Sequence, residues 1–93
     1  MIKAIIVDDE EKSRVTLHNL LTMYCPTVEV IEKCDSVNAA LIAIEKQIPD
    51  LVFLDIEMPF HNGFTLLEKI KKPNFEVVFT TAYNHYAIKA IKY

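Results

Sequence analysis

Four short apolar runs separated by amphipathic stretches constrain this 93-residue chain more than any other feature. Ala4 to Val7 and Leu51 to Leu54 are apolar without interruption, as strands buried on both faces must be. Val77 to Phe79 reads the same way, whereas Val28 to Glu32 alternates apolar with polar and suits a less buried edge strand. Between the first two runs, Leu17, Leu20, Leu21 and Tyr24 share one helical face, and Pro26 marks the exit. Ser36 is placed to cap a second helix carrying Val37, Ala40, Leu41 and Ile44, which must close before Pro49. Leu66, Leu67 and Ile70 stripe a short third helix, and Asn84 is placed to cap a fourth with Ala87, Ile88 and Ile91. A β-α unit repeated four times, with buried strands and crossover helices, predicts a parallel, right-handedly wound α/β sheet. At this length there is one domain, spanning residues 1–93, with no linker, repeat or low-complexity segment.

Charge and composition exclude several functions. The net charge of −3 offers no basic footprint for a nucleic acid or an anionic membrane surface. No apolar run approaches the length of a membrane span, and no signal-peptide pattern opens the chain, so the expected compartment is the cytoplasm. Cys25 and Cys34 form no C-x-x-C pair and read as reduced thiols.

Chemistry concentrates where strands end. The run Leu51 to Leu54 delivers Asp55, and Pro59 keeps the following stretch irregular. The run Ala4 to Val7 delivers Asp8, Asp9 and Glu10. Neighbouring strand ends in an open α/β sheet bound a crevice, so these acids would share one. Like charges that close repel, and the cluster calls for a cation, magnesium being the best match. Taken alone, Asp8 and Asp9 could instead cap the first helix. Asp55 has no such alternative, because no helix follows it for several residues. Thr81 closes the fourth run, and its hydroxyl is suited to donate to a phosphoryl oxygen beside such acids. His18, His61 and His85 show no metal-ligand spacing and read as surface residues. Met58 should pack beneath the loop, and Gly63 marks either a positive φ or a tight approach to the next helix.

Three blocks resemble the receiver domain of bacterial two-component response regulators: Val7-Asp8-Asp9-Glu10, Leu54-Asp55-Ile56-Glu57-Met58-Pro59 with Asn62-Gly63, and Phe79-Thr80-Thr81-Ala82-Tyr83. The resemblance covers all 93 residues, and Thr81 to Ala90 is similar to the regulators that carry a LytTR-type DNA-binding domain. It implies a flavodoxin-like doubly wound sheet of strand order 2-1-3-4-5. It also implies a phosphoacceptor in a phosphorelay, with at most weak autophosphatase activity, and not a turnover enzyme. In that role Asp55 takes the phosphoryl group as an aspartyl-phosphate. Asp8, Asp9, Asp55 and the backbone carbonyl of Glu57 hold Mg2+, and Thr81 is the switch hydroxyl. Tyr83, two residues beyond Thr81, would line the path of the hydrolytic water and shield the acyl phosphate. The implied partners are a histidine kinase and, on activation, a second copy of the chain. DNA would be reached only through an effector domain outside these residues, and no membrane is involved.

The family pattern also contains a fifth strand with a lysine beside a proline, preceded by an aromatic switch residue. Neither occurs before Tyr93, and Lys89 and Lys92 lie on the helical pattern instead. The expectation is therefore a receiver truncated at its C-terminal side, with the fifth strand and helix missing. The fourth strand would become an edge, and the sheet face beside the first helix would lie uncovered unless further residues or a second copy covered it. Two other classes compete with the phosphoacceptor. A haloacid-dehalogenase-type enzyme also pairs an Asp nucleophile with magnesium, but carries it on an early strand and needs a cap. A degenerate receiver acting only in dimerisation is disfavoured by intact Asp9, Asp55 and Thr81.

Overall fold

The computed structural model describes residues 1–56, 58, 63–70 and 74–80. Its elements are β1 (Ile2–Val7), α1 (Glu11–Tyr24), β2 (Val28–Cys34), α2 (Val37–Gln47), β3 (Leu51–Leu54), α3 (Gly63–Lys69) and β4 (Glu76–Phe79). The strands form one sheet in the order β2-β1-β3-β4, with every neighbouring pair parallel. These are the first four positions of the expected 2-1-3-4-5 order. The expected fourth helix lies outside the described residues.

Strand alternation sorts the apolar residues onto two faces. Ile5, Val7, Val52 and Leu54 point to the side of α2 and α3, where they are buried with Val37, Ala40, Ala43 and Leu66. Ala4, Ile6 and Phe53 point the other way and meet Leu21 of α1. The unbroken apolar sequences of β1 and β3 thus reflect coverage on both sides. On α1 the expected stripe is only partly used. Leu21 is buried and Leu17 packs against the cluster, but Leu20 is 46% and Tyr24 is 71% exposed. The helix crosses the sheet with a narrower contact than the four-residue stripe predicts.

β2 is the predicted edge strand, and it runs on to Cys34, past the alternating segment. The register against β1 jumps from Ala4↔Val30 to Ile5↔Glu32, leaving Ile31 as the extra residue of a bulge. The bulge resets the alternation. Ile31 packs toward the α2 side, Glu32 accepts a hydrogen bond from Gln47 Nε2 of α2 at 2.9 Å, and Cys34 is buried there.

Local signals fix the helix ends. Ser36 caps α2 as its sequence predicts, its Oγ accepting from the Ala39 N–H at 3.1 Å. At the other end Ile48 takes up the left-handed C-cap conformation, with φ 48°, and its N–H donates to Ile44 O at 3.0 Å. That conformation normally belongs to glycine, and in a β-branched residue it carries strain. Asp50 then ties the amino end of the sheet. Its carboxylate accepts from the Lys3 N–H at 2.9 Å, its N–H donates to Lys3 O, and its carbonyl accepts from the Glu76 N–H.

Candidate functional site

The pairing of β1 with β3 sets Val7 opposite Leu54, so the next residues, Asp8 and Asp55, leave the sheet side by side. The ladder continues one step beyond both strands. The Asp55 N–H donates to Val7 O at 2.9 Å, and the Asp8 N–H donates to Cys34 O at 3.0 Å. Thr80 is held likewise, its N–H donating to Leu54 O at 3.0 Å. Backbone hydrogen bonds, not flexible loops, therefore position the carboxyl end of the sheet.

Asp8, Asp9 and Asp55 each bring a carboxylate oxygen to within 4.8 Å of the others, and all three are half-buried. Oxygens on opposite sides of one magnesium ion lie about 4.2 Å apart, so small side-chain adjustments suffice for a shared ion. The electrostatics point the same way. Burial pushes the Asp8 carboxyl above its ordinary range, the Glu10 N–H it accepts from pulls it down, and the Asp9 charge pushes it up again. A cation would relieve both the burial cost and the repulsion.

The helix-capping alternative for these acids does not hold. α1 begins at Glu11 with Glu10 at its N-cap, and no side chain caps it. Asp8 Oδ1 instead accepts from the Glu10 N–H at 2.9 Å, folding the β1–α1 turn around the acid pair.

Two sequence-predicted site residues, Thr81 and the carbonyl-bearing Glu57, lie outside the described residues, as do Tyr83, His61 and His85. His18 is half-buried on α1 and belongs to no candidate ligand set among the described residues. Met58 packs against the α2–α3 core, while the loop expected above it lies outside the described residues. Gly63 resolves in favour of close approach: its φ is not positive, and a Cβ there would stand 2.7 Å from Asp55 O and 3.0 Å from Leu54 Cγ. Its N–H donates to Ile56 O at 2.9 Å, so α3 starts directly against the Asp55 backbone.

One residue near the site escaped the sequence reading. Arg14 Nη1 donates to the Asp8 carbonyl at 2.8 Å from the first turn of α1. Its position was the available signal, because a cation that close to a helix N-terminus opposes the dipole and needs a local partner.

Comparison with known proteins agrees with this geometry. The family model described as response regulator receiver domain matches residues 4–93. The chain is 42% identical to the sensory transduction protein LytT of Bacillus anthracis over 95 residues, covering 99% of this chain and 38% of LytT. It is 39% identical to an uncharacterized response regulatory protein of Yersinia pestis, covering 99% of this chain and 39% of that one. Thus it spans about two fifths of the length of these curated relatives. Among solved structures it is similar to the response regulator TrrA of Thermotoga maritima in complex with Mg2+–BeF. That match has a TM-score of 0.84 and 32% identity, and covers 95% of this chain and 76% of TrrA. Fold, strand-end acids and family match coincide over nearly the whole chain, and it belongs to the response regulator receiver domain family.

Proposed function

We propose that residues 1–93 act as the phosphoacceptor of a two-component phosphorelay, with Asp55 as the nucleophile. The observation that carries this reading is the convergence of Asp8, Asp9 and Asp55 within 4.8 Å at the carboxyl ends of β1 and β3. An Asp55 carboxylate oxygen attacks the phosphorus of a phosphohistidine on a histidine kinase. The P–O bond forms as the P–N bond breaks; its electron pair stays on the imidazole, which leaves as neutral histidine with a proton on its other ring nitrogen, and the aspartyl-phosphate remains. Asp8, Asp9 and Asp55, with the Glu57 backbone carbonyl, are the residues that would hold Mg2+. Bound there, it supplies charge neutralisation to the phosphoryl oxygens. That the similar regulator TrrA was solved in complex with Mg2+–BeF supports a Mg2+ site in this chain.

Thr81 follows Thr80, which the Leu54 carbonyl holds beside the Asp55 end of the sheet. We assign it the switch hydroxyl, drawn toward the added charge and biasing a two-state surface, a population shift within one fold. The similarity to LytT favours a whole protein that homodimerises on activation and regulates transcription through a LytTR-type DNA-binding domain outside these residues. A cytoplasmic site of action fits, as no described helix is long and apolar enough to cross a membrane. Any autophosphatase activity is hydrolysis of the aspartyl-phosphate and is weak.

The test is labelling of the intact regulator with acetyl phosphate and Mg2+, read by mass spectrometry. One phosphoryl group should be gained on Asp55 and none in Asp55→Asn. Labelling that persists in Asp55→Asn would place the nucleophile elsewhere.

A further inference from the structure

The β1–α1 turn that carries Asp8 and Asp9 is held at its start from two sides. The Asp8 N–H donates to Cys34 O of β2, and the Asp8 carbonyl accepts from Arg14 Nη1 at 2.8 Å. The second bond spans six residues and closes a ring around the acidic turn, and Arg14 is half-buried. Within the ring, Asp8 Oδ1 accepts from the Glu10 N–H, which orients that carboxylate. A hydrogen bond from a charged donor to a carbonyl is stronger than a neutral one and holds it in a fixed direction.

We propose that Arg14 is a positioning residue for the divalent cation: by gripping the Asp8 carbonyl it sets the orientation of the Asp8 and Asp9 carboxylates. The proposal deepens the phosphoacceptor reading and rests on its metal site. Charge by itself predicts the reverse. Removing a cation from beside three carboxylates deepens the negative potential there and should tighten a bound divalent ion. A positioning role weakens it. The sign of the change therefore separates the two.

The experiment is calorimetric titration of the intact regulator with MgCl2. Arg14→Met keeps the apolar stem but removes donor and charge, and Mg2+ affinity should fall about tenfold, as for other residues that orient metal ligands. Arg14→Lys restores one donor and should return to within about threefold of the parent. If Arg14→Met does not fold, Arg14→Gln, neutral and shorter, takes its place with the same expected loss. Unchanged or tighter binding in the neutral variant overturns the proposal. So does failure of Arg14→Lys to restore affinity, since the loss would then belong to packing. Asp9→Ala is the control on the underlying reading. If it loses Mg2+ while Arg14→Met does not, only the Arg14 role falls. If Asp9→Ala binds Mg2+ as the parent does, the metal site itself falls.

Discussion

Among the described residues, the two faces of the sheet are packed differently. On the α2–α3 side, alternate residues of β1 and β3 meet Val37, Ala40, Ala43 and Leu66, all buried, with Met58, Leu67, Val77 and Phe79 packed around them. On the α1 side the buried set is Ala4, Ile6, Leu21 and Phe53. Val78, which alternation sends to this face, is 43% exposed, as is Leu20 of α1 to a similar degree. Among the described residues a cleft of about 460 Å3 runs here, from Asp8 and Thr80 along Ser13, Thr16 and Leu17. Both cores share β1 and β3; among the described residues α2 and α3 cover one face and α1 alone covers the other. α2 brings the small residues Ala40 and Ala43 against the sheet and α3 brings Leu66, whereas α1 buries Leu21 alone. Among the described residues the closer packing thus lies behind Asp55, where α3 starts against its backbone, and the more open face borders the acidic turn.

The largest effect should come from matched truncations on the two faces. Leu66→Ala empties a fully buried position in the α2–α3 core and should cost toward the upper end of about 2–5 kcal/mol. Leu21→Ala, on the α1 side, should fall at the lower end of that range, because its surroundings can collapse. Urea unfolding measures both, and equal costs would erase the distinction between the faces.

Next in size is Gly63→Ala. A Cβ 2.7 Å from Asp55 O forces α3 and the Asp55 backbone apart, at a cost of about 1–3 kcal/mol. Because the strain falls on the phosphoacceptor, labelling of Asp55 by acetyl phosphate should slow more than in Leu21→Ala. Comparable labelling in the two variants would show that the tight face does not position the site.

A smaller, opposite effect is expected at the exit of α2. Ile48 is 67% exposed and strained at φ 48°, so Ile48→Gly gives up little burial. Relief of strain should outweigh the added chain entropy and raise stability by about 0.5–1 kcal/mol. A fall in the unfolding midpoint would mean that Ile48 packs in solution against something that relieves its strain.

The smallest effect at neutral pH concerns the thiols. Burial, followed by the charges of Glu32 and Asp35, pushes Cys34 up to about 11 from 9.0, and Arg14 partly offsets this. Cys34 should resist thiol reagents in the folded protein, while exposed Cys25 reacts readily. The folded form holds its proton more tightly than the unfolded one. The group's contribution is therefore fully present below pH 9, and stability is lost as pH rises from about 9 through 11. Equal labelling rates for the two cysteines would show that the β2 edge of the tight face opens readily.

Much of this molecule was legible in particular residues. Unbroken apolar runs at Ala4 to Val7 and Leu51 to Leu54 announced central parallel strands, and the alternation after Val28 announced an edge. These patterns work because burial on two faces or one is written directly into period-two chemistry. Ser36 announced its cap, and the acids following two buried strands announced a shared crevice. The bulge at Ile31 was not legible, since register belongs to the pairing of two strands and neither sequence contains it. Nor was the partial use of the Leu17, Leu20, Leu21 and Tyr24 stripe, because a helical face states which residues are apolar and not how squarely the helix meets the sheet. The choice at Gly63 between a positive φ and a close approach was open until Asp55 O was found 2.7 Å from its missing Cβ. Arg14 belongs with these: its bond to the Asp8 carbonyl depends on where α1 turns back over β1. Local chemistry determined which groups would form the site, and only tertiary packing decided what holds them in place, because positioning is a relation between segments that are apart in the chain.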